Sequence, residues 1–210
     1  MSIIAPAILA ENTHQYREQI ERVAGFATRV HIDLVDGVFA KGTTPGIGQI
    51  WWPHTIIADF HVMYQKPAEV LDDIIELCPS LVVLHSESDG NFVDMAKKLH
   101  VKGIKVGVCL LPKTSVESIA PAIEFIDHVL IFSGTLGRFG GKVDLKLLKK
   151  VDEIRDLNQH IEIGWDGGVT DENAKALVEG GVDVLNVGGF IQRSVDPKDS
   201  FDELKILADR

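Results

Sequence analysis

The residues His31-Ile32-Asp33-Leu34-Val35-Asp36-Gly37 decide how the chain is read. With Val30 in front of them, apolar residues alternate with His31 and Asp33, the pattern of a strand whose two faces are used differently. His31 and Asp33 are two positions apart and therefore share a face. An imidazole beside a carboxylate, with a glycine-containing loop next, points to a site at the C-terminal end of a strand. A plainer reading also fits, with Asp36-Gly37 a turn and His31 a satisfied core histidine.

Outward from this stretch, apolar and β-branched runs recur at 3–9, 30–34, 56–62, 81–84, 106–111, 129–132, 161–165 and 182–187. Segments with helical periodicity separate most of them. Asn12 is placed to cap a helix through Ala24, and Pro67 to open one ending near Leu77. Asp89 or Asn91 starts a helix through Leu99. The segment 144–157 puts Leu145, Leu148, Val151 and Ile154 on one face. Thr170 heads a helix to Glu179, and 199–208 forms the last. Gly103 and Gly180-Gly181 stop helices just before strands. Eight buried strands alternating with helices indicate a parallel α/β fold. A doubly wound sheet suits the alternation, but eight units favour a TIM (β/α)8 barrel formed as a single domain over 1–210. The stretch 38–53, with Gly42, Pro45, Gly46, Gly48 and Trp51-Trp52, reads as an elaborated loop: a lid, an oligomer contact or a bare connection.

The chain has 210 residues, enough for one sizeable core, and its net charge of −10 disfavours nucleic acid and anionic membrane as partners. A local site can still oppose that charge and accept an anionic small molecule. Cys78 and Cys109 lie in apolar runs without metal spacing and read as buried thiols of a cytoplasmic protein. No run is long enough to span a bilayer, and 1–9 lacks the charged start and cleavage site of an export signal. The apolar content of 47–52 hints at a buried contact, within or between subunits, and a homo-oligomer is expected.

In such a barrel, chemistry collects at the C-terminal ends of the strands. His31 and Asp33 stand there on the second strand, His61 and Met63 on the third, His85 on the fourth and Asp166-Gly167-Gly168 on the seventh. Two histidines and two aspartates suit a divalent cation, although their spacing is no compact metal signature. The two carboxylates could also face each other across a substrate. Gly140 and Gly141, Gly167 and Gly168, and Gly188 and Gly189 follow the last three strands. Glycines there let backbone N–H groups approach a phosphate, or simply make turns. On the phosphate reading, valine at Gly168 is expected to abolish binding and leave the fold intact.

The chain resembles ribulose-phosphate 3-epimerases and the related allulose-6-phosphate 3-epimerases along nearly its whole length. The resemblance is carried by Ala5-Pro6-Ala7-Ile8-Leu9, the stretch 31–37, His61-Val62-Met63, Phe139-Gly140-Gly141 and Asp166-Gly167-Gly168. It implies a barrel enzyme binding a divalent metal (zinc, iron, manganese or cobalt) through His31, Asp33, His61 and Asp166. It also implies that Asp33 and Asp166 are the acid and base of a C3 epimerisation of a phosphorylated ketose, such as D-ribulose 5-phosphate to D-xylulose 5-phosphate. Met63 matches a family methionine set against the intermediate, and would serve equally as a core gap-filler.

The departures concern substrate holding. Ala7 stands where the family usually has serine. The loop after the sixth strand reads Thr135-Leu136-Gly137-Arg138-Phe139-Gly140-Gly141-Lys142 with one extra residue, Val35 and Phe132 replace methionines, and Gly188-Gly189 replaces Gly-Ser. Arg138 and Lys142 either substitute charge for lost phosphate contacts or are solvated. A non-catalytic or altered-substrate sugar-phosphate-binding barrel therefore remains an alternative. A phosphate-binding-barrel lyase is disfavoured, because His61 stands where those relatives carry lysine.

Overall fold

The alternation that marks the strands in sequence also closes the sheet. The computed structural model describes residues 2–209, with Met1 and Arg210 outside the described residues. Its strands are β1 (Ile3–Ile8), β2 (Arg29–Val35), β3 (Ile57–Met63), β4 (Leu81–His85), β5 (Lys105–Leu110), β6 (His128–Phe132), β7 (Glu162–Asp166) and β8 (Val184–Val187). Every neighbouring pair is parallel, and β8 pairs with β1, giving a closed TIM barrel. The open-sheet alternative is thereby excluded.

Helices pack around the barrel: α1 (Thr13–Val23), α2 (Leu71–Leu77), α3 (Phe92–Val101), α4 (Lys149–Leu157), α5 (Asp171–Glu179), α6 (Gly189–Gln192) and α7 (Pro197–Leu207). Asn12 accepts from the Gln15 N–H at 3.0 Å and caps α1, whose Tyr16, Ile20 and Val23 face inward. Asn91, rather than Asp89, caps α3. Asp196 caps α7 with Pro197 at its first position, so this helix begins two residues before the expected Asp199. The helices' apolar faces and the outward-facing strand residues, among them Ile32, Phe60, Trp165 and Leu185, form the main core.

Other expectations fail locally. The segment 144–157 opens as a 3-10 turn (Leu145–Leu148) before α4, and the different pitch leaves Leu145 exposed. The expected helix at Pro67 likewise opens with a 3-10 turn, Pro67–Glu69. A 3-10 stretch, Val116–Phe125, links β5 to β6 and was not anticipated; Pro121 inside it prevents a regular α-helix. Cys109 is buried as expected, but Cys78 is exposed. Cys78 ends α2 in the left-handed conformation at φ +52°, turning the chain outward before β4.

Along β2, Arg29, His31 and Asp33 point into the barrel at successive levels. At the lowest level Arg29 donates to Asp59 at 2.5 Å and, with both terminal nitrogens, to Glu162 at 2.8 and 2.7 Å. The His128 Nδ1 lies 2.8 Å from Glu162. This ionic layer plugs the N-terminal end. Burial pushes the Glu162 carboxyl up, but Arg29 and His128 outweigh it and hold it well below the ordinary glutamate value. Asp59 is shifted the other way, its burial outweighing Arg29. No described helix is long and apolar enough to cross a membrane.

Two predictions follow from these positions. A thiol reagent applied to the folded protein should label Cys78 and spare Cys109, which should react only on unfolding; mass spectrometry of the labelled peptides reads the difference. Because Glu162 is depressed in the folded state, its stabilisation is complete above the ordinary value of 4.5 and fades as the pH falls below it. Glu162→Gln should cost roughly 2–3 kcal/mol at pH 7, less than a fully buried pair because Glu162 stays partly exposed. Denaturant melts should show the gap between wild type and variant narrowing toward pH 2–3, and a gap independent of pH would refute the assignment.

Candidate active site and metal centre

The β2–β3 register sets Asp33 opposite His61 and His31 opposite Asp59. Asp33 and His61 therefore meet inside the barrel near its C-terminal end, with His61 Nδ1 2.9 Å from Asp33 Oδ1. Asp166 arrives at the end of β7, its Oδ2 lying 3.5 Å from His61 Nδ1 and 3.9 Å from His31 Nε2. His31 Nε2 is 3.5 Å from Asp33 Oδ1. The four side chains expected from sequence thus each present one donor atom, all within 4.8 Å of one another.

This geometry fits a divalent cation. Ligands at the usual ~2.0–2.1 Å from a tetrahedral ion are separated by roughly 3.3 Å, close to the spacings found. His31 Nε2 is buried without a hydrogen-bond partner, an expensive state for a polar atom that a bound ion would relieve. The satisfied-core-histidine reading of His31 therefore does not hold. Its companion does: Asp36-Gly37 is a turn, with Asp36 accepting from the Val38, Phe39 and Gln65 N–H groups and Gly37 at φ +77°.

The two carboxylates sit in different fields. Burial raises the Asp33 carboxyl, but the imidazoles of His31 and His61 beside it bring it below its ordinary value. Burial also raises Asp166, the nearby Asp33 charge raises it further, and the histidines only partly offset this. The two carboxylates are thus shifted in opposite directions, Asp33 down and Asp166 up, by their different surroundings.

Above them opens a cavity of about 170 Å³, lined by Asp33, Asp166 and Met63 and by all six expected glycines, Gly140, Gly141, Gly167, Gly168, Gly188 and Gly189. His31 and His61 lie beneath it, fully buried. Gly168 has φ +75°, and a Cβ there would stand 2.8 Å from the Val143 nitrogen, so valine would disturb the backbone as well as binding. The expectation of an intact fold for that change is corrected accordingly. Gly188 likewise has no room, since its Cβ would meet the Phe139 ring at 2.4 Å. Gly189 has ordinary clearance. Arg138 borders the cavity, whereas Lys142 is exposed and does not. Met63 is both a packing residue, against Val35 and Ala40, and part of the cavity wall.

Some neighbours were not singled out in the sequence. Arg193, just after α6, lines the cavity beside Gly189. Asn186 of β8 also lines it, buried, with its Oδ1 unpartnered. The signal for Asn186 was present as a lone amide inside an apolar run. Within the 38–53 loop, Ile47 and Ile50 are buried, Trp52 packs on Phe60, and Tyr16 donates to the Trp51 carbonyl at 2.7 Å. The loop is thus anchored on the barrel wall, and its Phe39 reaches over the His85 ring.

The chain is 29% identical to a ribulose-phosphate 3-epimerase of Aquifex aeolicus, covering 99% of this chain and 97% of that protein. It is 30% identical to the ribulose-phosphate 3-epimerase of Helicobacter pylori strain J99, covering 93% of each. Among solved structures, a 3-hexulose-6-phosphate synthase superposes with a TM-score of 0.76 over the full length of both chains at 19% identity, a likeness of fold alone. The model of the ribulose-phosphate 3 epimerase family matches residues 3–191. With the match spanning the barrel from β1 into α6, the chain belongs to the ribulose-phosphate 3 epimerase family.

Proposed function

We propose that the protein is a metal-dependent 3-epimerase of a ketose phosphate, interconverting D-ribulose 5-phosphate and D-xylulose 5-phosphate or a close analogue. The observation that carries this reading is the convergence of His31, Asp33, His61 and Asp166 beneath one cavity, with both carboxylates on its lining.

Epimerisation at C3 breaks a C–H bond next to a carbonyl and remakes it on the other face. One aspartate takes the C3 proton, the electron pair moves onto the C2 oxygen to give an enediolate, and the opposite aspartate delivers a proton to the other face of C3. Asp33 and Asp166, on β2 and β7, are the two carboxylates placed to exchange these roles. In the reverse direction the roles exchange. A zinc, iron, manganese or cobalt ion held by the four donors would stabilise the negative charge developing on the substrate oxygens. Met63 and Phe132 bound the site with apolar surface and limit water near the reacting carbon. The glycines after β6, β7 and β8 leave backbone N–H groups free to approach the phosphate, with Arg138 and Arg193 adding positive charge at the rim.

Ala7, buried in the cavity wall, offers no hydroxyl to a substrate oxygen, which favours the altered-substrate or non-catalytic reading as a second possibility. Solvent hydrogen exchange at C3 separates the two. Wild type should exchange and interconvert both epimers, and should stop on treatment with a chelator. Asp33→Asn and Asp166→Asn should each lower interconversion by at least ~10³-fold, while each retains exchange into one epimer only, provided metal analysis shows the ion still bound. Near wild-type interconversion in either metal-loaded variant would defeat the two-aspartate mechanism.

The phosphate assignment has its own check. Gly189→Asp places a negative charge on the cavity wall at a position with room for a side chain. It should raise KM at least ~10-fold through charge repulsion without a large change in Tm. Gly189→Ser should leave KM unchanged or lower. Equal KM values for Gly189→Asp and wild type would move the phosphate elsewhere.

A further inference from the structure

The structure assigns a positioning role to His85 and Glu87, which together fix the tautomer of His61 and so keep its Nδ1 lone pair free for the ion. This rests on the proposed metal site.

His61 presents Nδ1 to the donor cluster, and its other nitrogen, Nε2, lies 2.9 Å from Nε2 of His85. The two rings are 26° from coplanar with centroids 5.0 Å apart, the edge-to-edge geometry of a hydrogen bond between ring nitrogens. Only one of the two facing nitrogens can carry the shared hydrogen. If His85 donates it, His61 Nε2 is bare, and a neutral His61 must hold its hydrogen on Nδ1, where it blocks coordination. If His61 donates it, Nδ1, which lies 2.9 Å from Asp33 Oδ1 in this structure, is the nitrogen left to coordinate an ion.

The choice is made on the far side of His85. Its Nδ1 faces Glu87 Oε2 at 3.4 Å, and both atoms are buried and make no hydrogen bond elsewhere or in ideal geometry with each other. An anionic oxygen there favours a hydrogen on His85 Nδ1. That leaves His85 Nε2 as the acceptor and His61 Nε2 as the donor. Glu87 is itself held: its Oε1 accepts from the Thr114 hydroxyl and from the Leu111 N–H at 3.2 Å. The Leu111–Thr114 turn is pinned in turn by Lys150 of α4, whose ammonium donates to the Leu111 and Thr114 carbonyls at 2.7 and 2.8 Å. A line of fixed polarity thus runs from α4 through Glu87 and His85 to the metal-facing nitrogen. Partners of this kind behind a ligating histidine set its tautomer and orientation.

Glu87→Gln tests the line with little change of shape. If the amide oxygen keeps the Thr114 and Leu111 bonds, its NH2 faces His85 Nδ1. His85 must then accept at Nδ1, carry its hydrogen on Nε2 and reverse the bond to His61. Long-range 15N–1H correlation spectra of the metal-free protein should show His85 protonated on Nδ1 in wild type and on Nε2 in Glu87→Gln. Manganese and zinc dissociation constants, measured by chelator competition, should rise about 10- to 100-fold in Glu87→Gln and in His85→Leu, with the Tm of metal-free Glu87→Gln close to wild type.

Cys109 has its sulfur near His61 and His85 and would be the third member of an alternative ion site with them; Cys109→Ala should leave the dissociation constants unchanged. An Nε2-protonated His85 in wild type, unchanged affinity in Glu87→Gln, or an equal loss in Cys109→Ala would each overturn the relay. If wild type binds no ion while the His85 spectra behave as stated, the metal reading fails and the inference falls with it.

Discussion

Everything at the working end depends on the registration of β2 against β3. Seven consecutive residue pairs hold these strands together, and within that ladder Asp33 lies opposite His61. A slip of one residue would turn either His31 and Asp33 or Asp59 and His61 out of the barrel, because side chains on a strand alternate sides. The register is enforced from both faces. Outside, Ile32, Leu34, Phe60 and Val62 belong to the apolar core. Inside, Arg29 reaches the Asp59 of the next strand and cannot do so in another alignment. The ionic layer at the bottom and the donor cluster above it are thus two products of one strand pairing.

The barrel interior is polar where it acts and apolar where it only fills space. Leu81, Val83, Cys109, Leu130 and Phe132 occupy the β4–β6 side beside His85 and His128, while the carboxylates Asp33, Asp59, Glu162 and Asp166 stand on β2, β3 and β7. Burial on this scale penalises an unpaired charge severely. Most buried polar atoms here have partners; among the exceptions, His31 Nε2 faces the donor cluster and Asn186 belongs to the cavity lining, whereas Asp59 Oδ1 lies in the floor. The first two are what a site prepared for an ion and a polar ligand leaves open.

The strands and the four donors were legible because strand periodicity is simple and these donors interrupt apolar runs. His31 and Asp33 declare their shared face by spacing alone. The cavity-lining glycines were legible as a group, but not which of them tolerate a side chain. Gly168 and Gly189 look alike in sequence, and only the chain passing at Val143 tells them apart. Helix starts were less readable where two geometries compete: at Leu145 and Pro67 the chain opens in 3-10 form. Cys78 looked buried because its neighbours are apolar, and a left-handed helix end exposes it. Glu87 and Lys150 were invisible as site supports, since nothing near them in sequence reveals a partner across β4 and β5.

The ionic plug at the N-terminal end has a consequence for how this protein can diverge. Arg29, Asp59, Glu162 and His128 close the barrel floor through contacts among themselves, and none of them lines the cavity. Substitutions at the rim, such as Ala7, Arg138 or Gly189, touch none of these partners, so their energetic effects should add to changes in the floor rather than compound them. A lineage can then explore new ligands at one end without first acquiring compensating changes at the other. In that sense the floor acts as ballast, leaving the mouth free to drift.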